Sequence, residues 1–126
     1  MKKKFSRAWI RSKQPRKQRK YRYNAPLHIR QKLIHVHLSK ELKDKYKKRA
    51  ITPRQGDKVK VMRGRFKGKE GIIEKVDLKK LKIYVRGMET IKKDGTKVLV
   101  PLDPSNLMLT EIKIDDKMRK KSLERK

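Results

Sequence analysis

The sequence predicts a mainly β fold: a small barrel, short helices beside it and strongly basic extensions. Three observations predict it. Between residues 54 and 112 short apolar runs alternate with polar residues at the period of two that marks half-buried strands. Turn signals separate these runs: Gly64 and Gly68, Asp77 to Lys80, Lys93-Asp94-Gly95-Thr96 and Asp103-Pro104. The cations, finally, are concentrated outside that stretch.

A length of 126 residues suits one domain plus extensions. Hydrophobic residues make up 34% and charged residues 43%, so only part of the chain can bury a core. Lys and Arg number 41 against 13 Asp and Glu, a net charge of +28. An excess of that size predicts a polyanionic partner, nucleic acid first and an anionic membrane surface second. The absence of cysteine excludes disulfides and thiolate metal sites. The start, Met1 to Lys4, lacks the apolar run of a signal peptide, and no window reaches the roughly 20 apolar residues of a membrane span. The expectation is a soluble cytoplasmic protein without membrane insertion.

Four segments follow in order, with no internal repeat. Residues 1–25 form a basic arm carrying Lys2, Lys3, Lys4, Arg7, Arg11, Lys13, Arg16, Lys17, Arg19, Lys20 and Arg22 and no acid. Such a composition predicts disorder in the free protein. Phe5, Trp9, Tyr21 and Tyr23 are interleaved among the cations, suited to stacking on exposed RNA bases or to packing back on the domain. Residues 26–50 predict two short helices that lean on the barrel or on the partner. One runs from Pro26 to about Val36; a second is capped by Ser39, favoured by Glu41 and ends near Arg49. Residues 51–112 hold the barrel, with strands at Leu81–Arg86, Met88–Lys92, Thr96–Val100 and Leu107–Ile112 after an opening hairpin. Alternation gives a core of Val59, Val61, Ile73, Val76, Ile83, Val85, Ile91, Val98, Val100, Leu107 and Leu109. Residues 113–126 form a basic tail with a short helix started by Asp115 or Asp116.

The opening hairpin, Gly56 to Ile73, organises the chain. Val59 and Val61 alternate with Lys58 and Lys60, and Arg63, Arg65, Lys67 and Lys69 surround Phe66 between Gly64 and Gly68. Glycine there lets the backbone turn and lets a partner approach closely. Gly71 reads as the tight bend before the second strand. Arg can fork onto phosphate oxygens and Lys can act as a point charge. With Arg30 and Lys32 these loop and arm cations are the candidate RNA-binding set, Trp9 among them. No recognition helix with base-reading residues favours duplex DNA, so RNA is the expected partner.

This hairpin resembles the KOW motif: Asp57, Val59, Val61, Gly64, Lys67, Gly68, Gly71 and Ile73 match it in one register. Together with Asn24 to Lys32 and Leu38 to Tyr46, it resembles the universal KOW-motif protein family of the large ribosomal subunit. That is the twenty-fourth family in ribosomal numbering, here in its archaeal/eukaryotic form, with the short tail after residue 112 favouring an archaeal source. The resemblance implies an SH3-like (KOW) barrel in which Asp57, Val59, Val61, Gly64, Gly68, Gly71 and Ile73 are structural. It implies a structural constituent of the large subunit that binds the 5′ domain of large-subunit rRNA, acts early in assembly and lies near the exit-tunnel outlet. Neighbouring ribosomal proteins and exit-site factors are the implied partners, and the hairpin tip Lys92–Lys97 is expected at the outer surface.

No catalytic constellation, cofactor site or homo-oligomer is expected. Asp57, Glu70, Glu74, Asp77, Glu89, Asp94, Asp103 and Glu111 fall among lysines and read as local charge balance on a basic surface. The Arg63–Lys69 loop lacks the Gly-Lys-Ser/Thr ending of a Walker loop. His28, His35 and His37, without cysteine or close carboxylates, are solvent-facing or RNA-facing rather than metal ligands. The alternative function is a KOW-domain transcription elongation factor, for whose usual second domain the chain has no room. A membrane-surface or peptide-binding module would need a strong amphipathic helix or an aromatic groove.

Overall fold

The structure, a computed structural model, describes residues 5–9 and 11–125. Along the chain come α1 (Pro15–Asn24), α2 (Leu27–Leu33), β1 (Val36–Leu38), α3 (Lys40–Tyr46) and β2 (Ala50–Ile51). Then follow β3 (Lys58–Val61), β4 (Glu70–Asp77), β5 (Lys82–Val85), β6 (Glu89–Ile91), β7 (Lys97–Leu99), β8 (Leu107–Glu111) and α4 (Lys117–Glu124). Six strands form one sheet in the order β2-β1-β8-β3-β4-β5, while β6 and β7 pair only with each other. Neighbours in the sheet are antiparallel except β1 and β8, which run parallel with His37 opposite Met108. The architecture is a small SH3-like fold, but the sheet stays open at β2 and β5. The β5 edge is partly covered where Ile83 and Leu102 exchange two backbone hydrogen bonds of 2.9 Å.

Alternation builds the core. Val59 and Val61 of β3 are buried and Lys58 and Lys60 are not, and Ile73, Ile83, Val85, Leu107 and Leu109 close over them. Val76 and Val100 pack at its margin. Ile91 and Val98 are not core residues: they are 67% and 40% exposed. Their strands form a separate hairpin with no layer opposite, so alternation there buries nothing. Ile34, Val36, Leu38, Ile51, Phe66, Met88 and Leu123 supply the rest of the core.

Two expectations about helices change. The first helix of the 26–50 segment stops at Leu33 rather than near Val36. Ile34, Val36 and Leu38 are buried while His35 is exposed and His37 half-exposed, a period of two that places Val36–Leu38 between β2 and β8. The basic arm, expected without order of its own, contains α1. Pro15 starts it at a position that needs no N–H, and Arg, Lys and Gln propagate it well. Ser39 caps α3 as expected, its Oγ accepting from Leu42 N–H at 3.4 Å, and Lys47 ends it in a left-handed conformation.

Carboxylates fix the turns. Asp77 Oδ1 accepts from the N–H groups of Lys79 and Lys80, each at 3.0 Å. Asp94 accepts from Thr96 N–H at 3.0 Å in the β6–β7 turn, and Asp116 caps α4 by accepting from Met118 N–H at 2.9 Å. The N–H of Lys80 draws the Asp77 carboxyl below its ordinary pKa, that of Thr96 does the same for Asp94, and Arg54 for Asp116.

Asp57 is not part of a solvated charge balance. It is fully buried and forms a bidentate ion pair with Arg119 of α4, at 2.7 Å from Oδ1 and 2.6 Å from Oδ2. The same carboxylate accepts from Arg54 N–H and Lys113 N–H, each at 2.9 Å. Arg119 also donates to the carbonyls of Lys113 at 2.8 Å and Thr52 at 3.4 Å. Leu123, one turn further along α4, lies in the core. The tail helix is therefore an integral part of the fold, held by one arginine and one leucine rather than by an apolar stripe.

Gly71 is not at a bend. It lies within β4 opposite Val59, and a Cβ there would come within 2.6 Å of Arg86 O and 2.7 Å of Val85 Cγ1. Close approach of β5, rather than a positive φ, demands glycine.

Three substitutions and a pH series test this fold. Gly71→Val is expected to destabilise by at least about 2 kcal/mol in denaturant melts, through overpacking against backbone. Arg119→Met leaves a buried carboxylate unpaired and is expected to lose about 3–5 kcal/mol. Arg54→Met breaks only the exposed pair with Asp116, 2.8 Å long, and is expected to lose less than about 1 kcal/mol. Equal effects of the two arginine changes would remove the special role of the buried pair. The depressed aspartates contribute stability that is present above the ordinary aspartate value and is lost as pH falls through their lower folded values. Melting temperature should thus be insensitive to these groups from pH 7 to about pH 5 and decline below about pH 4.

Candidate nucleic-acid interface

The loop between β3 and β4 is built around Phe66. Its ring is 7% exposed and joins the core, while Arg63, Arg65, Lys67 and Lys69 on either side of it are exposed. Phe66 is thus an anchor for the loop rather than an aromatic offered to a ligand. Arg65 lies 5.5 Å and Lys69 5.4 Å from the ring centroid, so the anchor also orients two of the cations. The turn is closed by Lys67 N–H to Gly64 O at 3.2 Å and Gly68 N–H to Val61 O at 2.8 Å. Gly64 and Gly68 have φ of +94° and +85° with open space where a Cβ would stand. They hold a tight turn and leave the backbone approachable.

Among the described residues, the acids that pair do so elsewhere. Lys58 contacts Glu70 and Glu111, Lys82 contacts Asp103, Lys113 contacts Asp115, and Arg54 contacts Asp116. No carboxylate lies within ion-pair distance of Arg63, Arg65, Lys67 or Lys69 in that set. The loop therefore presents four cations on a fixed turn without intramolecular neutralisation.

The arm presents a second cationic surface. Arg7, Arg11, Lys13, Arg16, Lys17, Arg19, Lys20 and Arg22 are exposed, and Trp9 is half-buried against Tyr21. Lys2, Lys3 and Lys4 lie outside the described residues. Lys32 is exposed, whereas Arg30 is engaged within the chain. Its Nε donates to Ala25 O at 2.9 Å and its Nη2 donates to Tyr23 O, so it ties the end of α1 to α2.

Sequence reasoning passed over Lys79, Lys80 and Lys82. Lys79 and Lys80 sit on the β4–β5 turn and Lys82 opens β5, and the fold brings them to one cleft of about 250 Å³ with Arg19 and Arg22 of α1 and with Asp103, the partner of Lys82. Only the placing of α1 beside that turn creates this cluster, so no local signal announces it. His28 and His35 are exposed and His37 is half-exposed. Desolvation of the imidazole, and then Lys32, lower the His35 pKa from its ordinary value. Among the described residues no group of three His, Asp or Glu could hold a metal ion, and no helix is long and apolar enough to cross a membrane.

The arrangement is a rigid basic loop, a basic helix and a shared cationic cleft on one small fold, suited to phosphate groups of a structured polyanion. Residues 12–126 match the family of ribosomal proteins described as L26 in eukaryotes and, in archaea, as the P form of L24. The chain is 50% identical over 115 residues to the large ribosomal subunit protein uL24 of Methanosphaera stadtmanae, covering 91% of this chain and 98% of that protein. It is 52% identical over 114 residues to the protein of the same name from Methanothrix thermoacetophila, covering 90% and 98%. With matches of that extent and a fold to suit, the chain belongs to the ribosomal protein family that comprises L26 of eukaryotes and its archaeal L24 counterpart.

Proposed function

We propose that this chain, a structural and non-enzymatic member of its family, works in the cytoplasmic large ribosomal subunit by binding the 5′ domain of large-subunit rRNA. In this reading it acts early in subunit assembly and sits near the outlet of the polypeptide exit tunnel. Neighbouring ribosomal proteins and exit-site factors are its other partners. The observation that carries the RNA contact is the β3–β4 loop, whose four exposed cations have no carboxylate partner among the described residues.

The loop cations Arg63, Arg65, Lys67 and Lys69 are assigned to phosphates, with Lys32 and the arm cations Lys2, Lys3, Lys4, Arg7, Arg11, Lys13, Arg16, Lys17, Arg19, Lys20 and Arg22 beside them. Arg30 takes a mixed role, holding α1 on α2 while its side chain stays half-exposed. The division of labour follows residues 1–25 as arm, 26–50 as helical support, 51–112 as the KOW body and 113–126 as the tail that locks it. Contacts of this kind read phosphate position and RNA shape more than sequence. They also neutralise phosphates, so affinity falls as salt rises.

Changing Arg63, Arg65 and Lys67 together to Glu is expected to weaken binding to a 5′-domain rRNA fragment by about tenfold or more. The salt dependence should become shallower by roughly one unit for each phosphate that the variant no longer neutralises. Circular dichroism of the variant should match the parent, because these side chains are solvated. Unchanged affinity in a folded variant would place the RNA on another face.

A further inference from the structure

We propose that the basic arm carries a binding site for a single unpaired RNA nucleotide, formed where α1 meets the residues before it. This site rests on the RNA-binding reading above and deepens it from phosphate contact to base recognition. A cavity of about 290 Å³ lies there, lined by Phe5, Trp9, Tyr21, Lys17, Lys20 and Asn24. The Tyr21 ring is 4.9 Å from that of Phe5 and 5.5 Å from that of Trp9, with interplanar angles of 38° and 31°. All three rings are half-buried, and none belongs to the hydrophobic core of the sheet. The rings pair with one another and line the cleft.

The polar residues of the cleft are placed as a nucleotide requires. Lys17, Tyr21 and Asn24 fall on one face of α1, at spacings of four and three residues, with Lys20 beside them. The aromatic walls can stack a base, since every base has a π face. The Asn24 amide offers a donor and an acceptor to a base edge. Lys17 and Lys20, both exposed, meet the flanking phosphates. A volume of this size is at the lower end of small-ligand sites and fits one base. A base already paired in a helix cannot enter, so the ligand is a bulged or loop nucleotide.

The chain's single tryptophan makes the site observable. Trp9 fluorescence of the full chain would be titrated at physiological ionic strength with two RNA hairpins of identical stem, one carrying a single bulged adenosine. The bulged hairpin is expected to quench Trp9 saturably and to bind roughly tenfold tighter than the paired one, the effect of one stacked base. Tyr21→Leu, checked for retained helix by circular dichroism, should abolish that advantage and leave the paired hairpin unaffected. Asn24→Ala, which leaves all three rings in place, should reduce the advantage in part. Equal quenching and affinity for both hairpins, or an equal loss on both in Tyr21→Leu, would make the cleft mere packing of the arm. Failure of both hairpins to bind would overturn the RNA-binding reading and this site with it.

Discussion

The buried pair of Asp57 and Arg119 is the constraint on which the rest of the molecule leans. An unpaired charge in such a place would be prohibitive, so the carboxylate must be surrounded by donors, and those donors come from separate pieces of chain. Arg54 N–H brings the segment before β3, Lys113 N–H brings the segment after β8, and Arg119 brings α4. The backbone of Asp57 itself accepts from Ile73 N–H of β4 at 2.8 Å. Once these are joined, β3 is held between β4 and β8, and Leu123 closes the core from the tail side. A chain with so few apolar residues gains from this a defined geometry that packing alone would leave loose.

Function follows from where charge is then left over. Acids take part in the fold, as turn caps at Asp77 and Asp94, as the helix cap at Asp116 and as the buried anchor at Asp57. Cations, 41 against 13 acids, collect on the β3–β4 loop, along α1 and on the β4–β5 turn. Phe66 ties the first of these surfaces to the core, and Arg30 ties the second to α2. A cationic surface fixed in this way loses less conformational freedom on meeting RNA than a disordered tail of equal charge.

Much of this was legible in the sequence, and the exceptions have physical causes. Strict alternation in β3 announced that strand and its buried face, the apolar run from Leu107 to Leu109 announced β8, and Ser39 announced the start of α3. Apolar residues at Ile91 and Val98 announced the β6 and β7 strands but misled about burial, because a strand has two faces and nothing in its own sequence shows that a layer covers one. The run from Ile34 to Leu38 carried a strand period inside a stretch read as helix; its histidines, alternating with apolar residues, were the missed signal. Arg119 was hidden because its partner is 62 residues away and a lone arginine in a basic tail has no local mark. The convergence of Lys79 and Lys80 with Arg19 and Arg22 is invisible for the same reason. Gly71 was right as a required glycine and wrong as a bend, since the close approach of Arg86 O exists only once β4 and β5 pair.

That this chain is an integral part of the large ribosomal subunit is most directly tested by sedimentation. Cell extract would be run through a sucrose gradient after a moderate-salt wash, with detection of this chain across the fractions. Steep loss with salt is the mark of purely electrostatic attachment to RNA. We expect the chain to stay with the large subunit in stoichiometric amount. Release into the free fraction, or migration with RNA polymerase, would contradict that and assign the KOW fold to another RNA-linked machine.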